Sequence, residues 1–506
     1  MAKSIMIQGT MSNVGKSFVV AALCRVLAQD GYKVAPFKSQ NMALNSFITE
    51  EGLEMGRAQV MQAEAAKIKP DVRMNPILLK PTSDQGSQVI VNGKVLETMQ
   101  AREYFKYKKK LRPLVQEAYD SLAKDYDVIV LEGAGSPAEI NLKQEDLVNM
   151  GMAKMAKAPV LLVGDIDRGG VFASLAGTML LLEEDERALV KGMLVNKFRG
   201  DVDILRPGLE MIRERVKRPI LGVLPYLNVD IEDEDSLSER LGPSKTVGLI
   251  DLAVIRLPRL SNFTDFNRLQ SIEGVSLRYV DHLAELKDPD FIILPGTKNT
   301  IEDLLWLRQS GLEAALLKHA AKGKGILGIC GGYQMLGKEI RDEKGHEAGG
   351  IVKGIGLLPL VTSFHEEKTT TRVKGHFKKV EGLLKGLSGK PFEGYEIHMG
   401  QTRVLGAEEN RPLTHLSQRL QEPIAQAEGF MKGNVYGTYI HGILDGEEVL
   451  LGLVHALLEQ KGIKETLKVQ DLATYKEMQY DKLAKSMREH VDMEAIYRII
   501  ERGVEG

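Results

Sequence analysis

The chain has 506 residues, 43% of them hydrophobic and 27% charged, so more than one domain is expected and each can bury a core. Lys and Arg number 67 against 69 Asp and Glu, a formal net charge of −2 that offers no electrostatic footprint for nucleic acid or an anionic membrane. No apolar run reaches the roughly 18 residues of a membrane helix, and two cysteines, Cys24 and Cys330, are too few for a disulfide framework; a soluble protein of the reducing cytoplasm is expected.

Short apolar runs bounded by Gly, Pro or Asp alternate with longer helical stretches, the pattern of repeated βαβ units. In the first half, strands are expected at 4–7, 33–37, 126–131, 159–163 and 191–196. Between the first of these and a helix over 18–29 lies Gly9-Thr10-Met11-Ser12-Asn13-Val14-Gly15-Lys16-Ser17. Unpaired N–H groups at a helix start, a Lys for the β/γ-phosphates and a Ser hydroxyl for Mg2+ make a phosphate cradle. Five residues separate Gly9 from Gly15 where the common pattern has four, and Thr10 takes the first-glycine slot. Thr10, Asn13, Gly15, Lys16 and Ser17 are therefore candidate nucleotide-binding residues, with ATP the default ligand.

The next segment, Pro36-Phe37-Lys38-Ser39-Gln40-Asn41-Met42-Ala43-Leu44-Asn45-Ser46, carries one cation among many amides. Lys38 suits a phosphate or carboxylate, and Asn41 and Asn45 an acid or amide substrate. Glu132 ends a strand that reads as buried and parallel, where α/β sheets present their ligands, and is with Ser17 the candidate holder of Mg2+. Two further strand ends carry Asp165 and Arg168, a possible substrate clamp with helix capping as the bland alternative, and Asn196, placed to read a nucleotide base or merely to cap a loop.

An acidic run from Asp230 to Ser236 and then Gly242-Pro243-Ser244 read as a solvated linker. The expected organisation is an ATP-dependent P-loop domain over 1–235, a linker over 236–247, a second α/β domain over 248–446 and a charged helical extension over 447–506.

Strands of the second half are expected at 251–255, 290–295 and 324–329. The last runs into Gly328-Ile329-Cys330-Gly331-Gly332-Tyr333-Gln334, a cysteine at a sharp strand-to-helix turn, which is the layout of a nucleophile elbow. Glycines on both sides are expected to leave Cys330 exposed and strained, in contrast to Cys24, which sits mid-helix among apolar neighbours. Backbone N–H groups at Gly331 and Gly296 are candidate oxyanion donors, and His441, at the end of an apolar strand, is the candidate base. His398, in Gly394-Tyr395-Glu396-Ile397-His398-Met399-Gly400, is its rival, although that segment reads better as a substrate contact through Tyr395 and His398.

The first-half motif resembles the P-loop of dethiobiotin synthetase and its relatives, and the residues around Cys330 with a distant His441 resemble class I glutamine amidotransferase domains. Combined with Gly394–Gly400 and the Lys38-to-Asn45 signature, they resemble the cobalamin-pathway amidotransferases, specifically the cobyric acid synthase family, over nearly the whole chain. That resemblance implies a parallel-sheet P-loop domain and a flavodoxin-like glutaminase domain. It implies that ammonia from glutamine hydrolysed at Cys330 amidates the b, d, e and g carboxylates of adenosylcobyrinic acid a,c-diamide, each activated by phosphoryl transfer from ATP with Mg2+. Glutamine, ATP and a corrinoid would be the partners, with no nucleic acid and no membrane. Two departures stand out. Ile443 occupies the position where triad amidotransferases carry a Glu to orient the histidine, leaving Asp445 as a substitute, and Gln59 stands where dethiobiotin synthetase has a metal-binding Asp. The competing readings are a cobyrinic acid a,c-diamide synthase and a P-loop switch carrying an inactive amidotransferase module. Glutaminase activity separates the switch from the other two.

Overall fold

A computed structural model describes residues 2–82, 86–231, 248–406, 411–465, 467 and 471–505; the linker expected at 236–247 lies outside them. In the first half, six parallel strands stand side by side in the order Ile220–Pro225, Val190–Phe198, Val160–Asp165, Lys3–Gly9, Val128–Glu132, Val34–Phe37. Ile5, Met6, Ile7, Ile129, Val130, Leu162 and Val163 are wholly buried. Helices cover both faces, which is why these strands read as continuous apolar runs rather than alternating ones. Every segment expected as a first-half strand overlaps one of these strands.

Register decides what meets at the carboxyl edge of this sheet. Ile7 pairs with Glu132, so the strand leading into the P-loop lies beside the strand that ends in that carboxylate, and Asp165 pairs with Asn196 on the other side. The helix Lys16–Gln29 begins at once, and its first buried residues (Val19, Val20, Leu23) key it onto the sheet.

Residues between the strands Val34–Phe37 and Val128–Glu132 build a structure that periodicity did not reveal. Gln40–Met42, Ile77–Pro81, Gly86–Val91 and Lys94–Gln100 form a four-stranded sheet, and Ser46–Ile48 pairs with Glu54–Gly56 as a hairpin. The amide-rich segment is therefore strand and hairpin rather than free loop.

The second half has its own six-stranded sheet, in the order Val275–Val280, Ile250–Ile255, Phe291–Leu294, Gly325–Ile329, Val435–Thr438, Phe430–Lys432, parallel except at the last pair. Against it stands a seven-stranded sheet dominated by the long antiparallel pair Leu360–Phe377 and Pro391–Val404. The first of these contains His365-Glu366-Glu367-Lys368-Thr369-Thr370-Thr371, whose polarity hid the strand.

The tail divides between the two halves. Glu447–Gln460 buries Val449, Leu450, Leu453 and Leu457 in the second core, whereas Leu472–His490 and Met493–Arg502 return to the first, packing Tyr480, Leu483, Met487 and Ile496 among Val19, Leu23 and Val26. Arg25, 1% exposed on the P-loop helix, holds this return by donating to Glu477 (2.6 Å) and Asp481 (2.8 Å). A buried guanidinium needs such partners, because an unpaired one would cost several kcal/mol, on the order of 3–5. Among the described residues no helix is long and apolar enough to cross a membrane.

Candidate active sites

The first site lies at the carboxyl edge of the parallel sheet. Asn13 (φ +60°) and Gly15 (φ +91°) are left-handed and coil the loop. A β-carbon at Gly15 would stand 2.3 Å from Asn196 Nδ2, so only glycine fits there. Lys16 is buried and curls back over the loop, donating to the carbonyls of Met11 and Gly135, both at 3.1 Å. Ser17 Oγ donates to Glu132 Oε1 (2.8 Å), Lys38 Nζ pairs with the same oxygen (2.9 Å), and Gln62 donates to the other. These partners compensate a carboxylate that is 1% exposed. A Ser hydroxyl in contact with a carboxylate is a pair of hard oxygen donors of the kind Mg2+ takes. Gln59 accepts from Asn41 Nδ2 (3.3 Å), and no cluster of three metal-ligating side chains occurs among the described residues.

A cavity of about 810 Å3 opens above this loop, lined among others by Lys16, Lys38, Asn41, Met42, Arg168 and Asn196. Arg168 is exposed at its rim, and Asp165 is paired with Lys197 at 3.0 Å. Thr10 is buried in the loop, its N–H given to Val163 O (3.0 Å). Asn196 lines the cavity and also holds the loop. Its Nδ2 donates to Val14 O (2.8 Å), so the amide fixes the P-loop itself. Asn45 turns away from the cavity altogether, and its Oδ1 accepts from the backbone N–H of Phe263 in the other half (3.2 Å).

The second site gathers four segments. Cys330 has φ +51° and ψ −109°, a conformation L-residues avoid and one that a nucleophile elbow requires. The expectation of exposure is corrected: Cys330 is only 7% exposed, its Sγ 3.4 Å from Ile397 O beneath the antiparallel sheet that periodicity missed. His441, 1% exposed, stands beside Cys330. Its Nδ1 donates to Asp265 Oδ2 (2.7 Å), and Asp265 Oδ1 accepts from Gly442 N–H (3.1 Å), so one carboxylate fixes both ring and backbone. Asn262 Nδ2 lies 3.5 Å from His441 Nε2, and Tyr395 stacks on the ring at 5.3 Å.

Burial alone would lower the His441 pKa, but the Asp265 carboxylate and the cysteine outweigh it and raise it to about 10. At neutral pH the ring is therefore an imidazolium, held by the Asp265 carboxylate beside the Cys330 sulfur. Gly296 and Gly331 border the pair. A β-carbon at Gly296 would lie 3.0 Å from His441 Cε1, and one at Gly331 would lie 3.1 Å from the amide N of Thr297. Tyr395 and His398 belong to this second site, not to the cavity: His398 stacks on Tyr439 at 3.8 Å and bonds Gly400 O through Nδ1 (2.8 Å).

Sequence reasoning missed Asp265. Ile443 is buried in the core, and the orienting carboxylate arrives from 176 residues upstream, in the short 3-10 turn Phe263–Phe266, rather than from Asp445. The available signal was position: Asn262 and Asp265 follow the strand Ile250–Ile255, whose neighbour Phe291–Leu294 leads into Gly296 and adjoins the strand that ends at Cys330.

Residues 5–237 match the CobQ/CobB/MinD/ParA nucleotide binding domain, and residues 251–449 match the CobB/CobQ-like glutamine amidotransferase domain. The chain is 59% identical to the cobyric acid synthase of Ruminiclostridium cellulolyticum over 507 residues, covering 100% of this chain and 98% of that one. It is 59% identical to the cobyric acid synthase of Lachnoclostridium phytofermentans, covering 100% of both chains, and 51% identical to that of a Thermoanaerobacter species, covering 99% of both.

Proposed function

The chain belongs to the cobyric acid synthase family, and from that premise we propose that it hydrolyses glutamine at Cys330 and delivers the ammonia to carboxylates of adenosylcobyrinic acid a,c-diamide activated by ATP above the P-loop. The observation that carries this reading is the His441 imidazole held by Asp265 at 2.7 Å beside Cys330, in the same chain as a P-loop whose Ser17 touches Glu132.

In the glutaminase site, Cys330 Sγ attacks the glutamine side-chain carbonyl, and the amides of Gly296 and Gly331 receive the charge that develops on oxygen. His441 passes its Nε2 proton to the departing nitrogen, so neutral ammonia leaves and a γ-glutamyl thioester remains. The same imidazole then takes a proton from water, which releases glutamate and regenerates the thiol. Asp265 keeps Nδ1 protonated throughout and so keeps Nε2 aimed at the sulfur.

In the other site, a carboxylate is a poor acyl donor, and transfer of the γ-phosphoryl group to it supplies a leaving group. Lys16 sits where the β/γ-phosphates would displace its present carbonyl partners. Ser17 and Glu132 would hold Mg2+, which when bound neutralises phosphate charge. Lys38, now paired with Glu132, and Arg168 at the rim are among the cavity cations that face the substrate's carboxylates. Ammonia attacks the acyl phosphate carbon, phosphate departs, and an amide results. Asp165 and Asn41 shape the wall through their pairing with Lys197 and Gln59.

Incubation with glutamine, ATP-Mg and the corrinoid diamide tests the reading. Four successive steps of about −1 Da are expected as each OH becomes NH2, and amide-15N glutamine should place its label in the product. No ATP-dependent mass change from either glutamine or ammonium would overturn it.

A further inference from the structure

One short stretch of the nucleotide-binding half forms part of the wall of the glutaminase site. It begins in the cavity, where Lys38, Gln40, Asn41 and Met42 line the space above the P-loop. Strand Gln40–Met42 is pinned to Ile77–Pro81, and Ala43 N–H to Leu79 O (3.1 Å), so the stretch is not slack. It then crosses to the other half through three contacts in a row. Asn45 Oδ1 accepts from Phe263 N–H (3.2 Å), Ser46 N–H donates to Asn262 Oδ1 (3.1 Å), and the Phe47 ring meets Tyr395 edge-on at 6.2 Å. Each recipient is one step from the base: Asn262 lies 3.5 Å from His441 Nε2, Tyr395 stacks on its ring, and Phe263 starts the turn that carries Asp265. Ile48 completes the contact against Tyr395 and Ile397, the latter bearing the carbonyl on Cys330 Sγ.

The contact is buried and polar at its centre. Asn45 and Ser46 are each 1% exposed and Asn262 is 3% exposed. Asn262 is itself left-handed (φ +51°), a backbone state that asparagine tolerates better than most residues. A simple interface could be made with apolar side chains. This one instead uses two asparagines in reciprocal bonds to the opposite backbone, whose distance and angle requirements fix the register of the two segments.

We propose, on the reading given above, that Asn45 and Asn262 are positioning residues that set the His441 base according to what occupies the nucleotide and corrinoid cavity. Ligands that engage Lys38 and Asn41 shift or stiffen the stretch at one end. At the other end Asn45 and Ser46 move with it, and with them the turn that holds Asn262 and Asp265. Ammonia is then released fastest when an activated carboxylate is present to receive it.

The test compares glutaminase kcat and KM for glutamine with and without ATP-Mg and adenosylcobyrinic acid a,c-diamide. In the native protein kcat should rise severalfold with both ligands while KM changes little. Asn45→Ala loses one buried hydrogen bond, a factor of about 2–10, and should flatten the rise, read as the ratio of liganded to unliganded kcat. Asn45→Asp, isosteric and still an acceptor for Phe263 N–H, should restore it. If Asn45→Ala does not fold, Phe47→Leu, which breaks only the ring contact with Tyr395, should show the same flattening. A native enzyme whose glutaminase ignores the ligands, or a variant that keeps the full rise, overturns the proposal. Synthesis from ammonium separates this from the reading beneath it: if native protein makes product from ammonium and ATP yet shows no stimulation, only the coupling fails, whereas no product from either nitrogen source removes the function.

Discussion

Each half of this protein is organised around a buried carboxylate, and the two are built in opposite ways. Glu132 ends a strand of the sheet that leads into the P-loop, paired in register with Ile7, and receives Ser17, Lys38 and Gln62. Asp265 is carried by a four-residue 3-10 turn and reaches His441 across the fold. The first carboxylate gathers cations and donors that a bound nucleotide can redistribute. The second fixes one ring in one orientation and is itself tied by Gly442 N–H. The difference teaches that a site which must exchange partners during a reaction is assembled from neighbouring strand ends, while a site that must hold a proton in place is clamped from several directions.

The comparison can be broken most directly at the sulfur. Cys330→Ala should reduce glutamine-dependent synthesis by at least about 1,000-fold and leave synthesis from ammonium salts intact. Loss of both would join the two halves into one site. Lys16→Ala should remove synthesis from both nitrogen sources, by about 100-fold or more, with product mass as the readout. Retained activity would move the phosphate site elsewhere.

Asp265→Asn sharpens the contrast, because it keeps shape and removes charge. Glutaminase kcat should fall by about 100-fold through loss of the tautomer and of the imidazolium's partner, with ammonium-driven synthesis unchanged. The pH dependence of stability gives an independent reading. A His441 pKa raised to about 10 in the folded state means that its contribution to stability is complete below the usual imidazole value of 6.5 and is lost as pH climbs through 10. The native protein should therefore lose Tm over that interval more steeply than Asp265→Asn, measured by thermal melts in matched salt. The smallest functional effect belongs to Ile443→Glu. With Asp265 already on Nδ1, no gain in glutaminase is expected, and a carboxylate at a position 2% exposed should lower Tm by several degrees. A rise in glutaminase would show that Asp265 holds the ring poorly.

How much was legible follows from the range of the interactions. The Gly15-Lys16-Ser17 loop, Glu132 and the Cys330 elbow each lie at a strand-to-loop junction written in consecutive residues, so pattern and position located them. Asn45 read as a substrate amide because nothing in the segment 36–46 announces a partner at Phe263, more than 200 residues away. Cys330 read as exposed because its glycines are local and its cover is not: the covering strand Pro391–Val404 pairs with a strand whose centre is charged. The charged tail read as an appendage, whereas its last two helices are the outer layer of the first core, a fact carried by Arg25 and its two carboxylates.

By itself the sequence made legible most strands of the two parallel sheets, the phosphate loop and the thiol elbow, because each is written in consecutive residues and their side-chain periodicity. Only tertiary structure decided which carboxylate steadies His441, which half Asn45 serves and how the tail divides. Those outcomes turn on contacts between segments hundreds of residues apart, where the closing of the chain, not the order of its residues, sets which groups are within hydrogen-bonding reach.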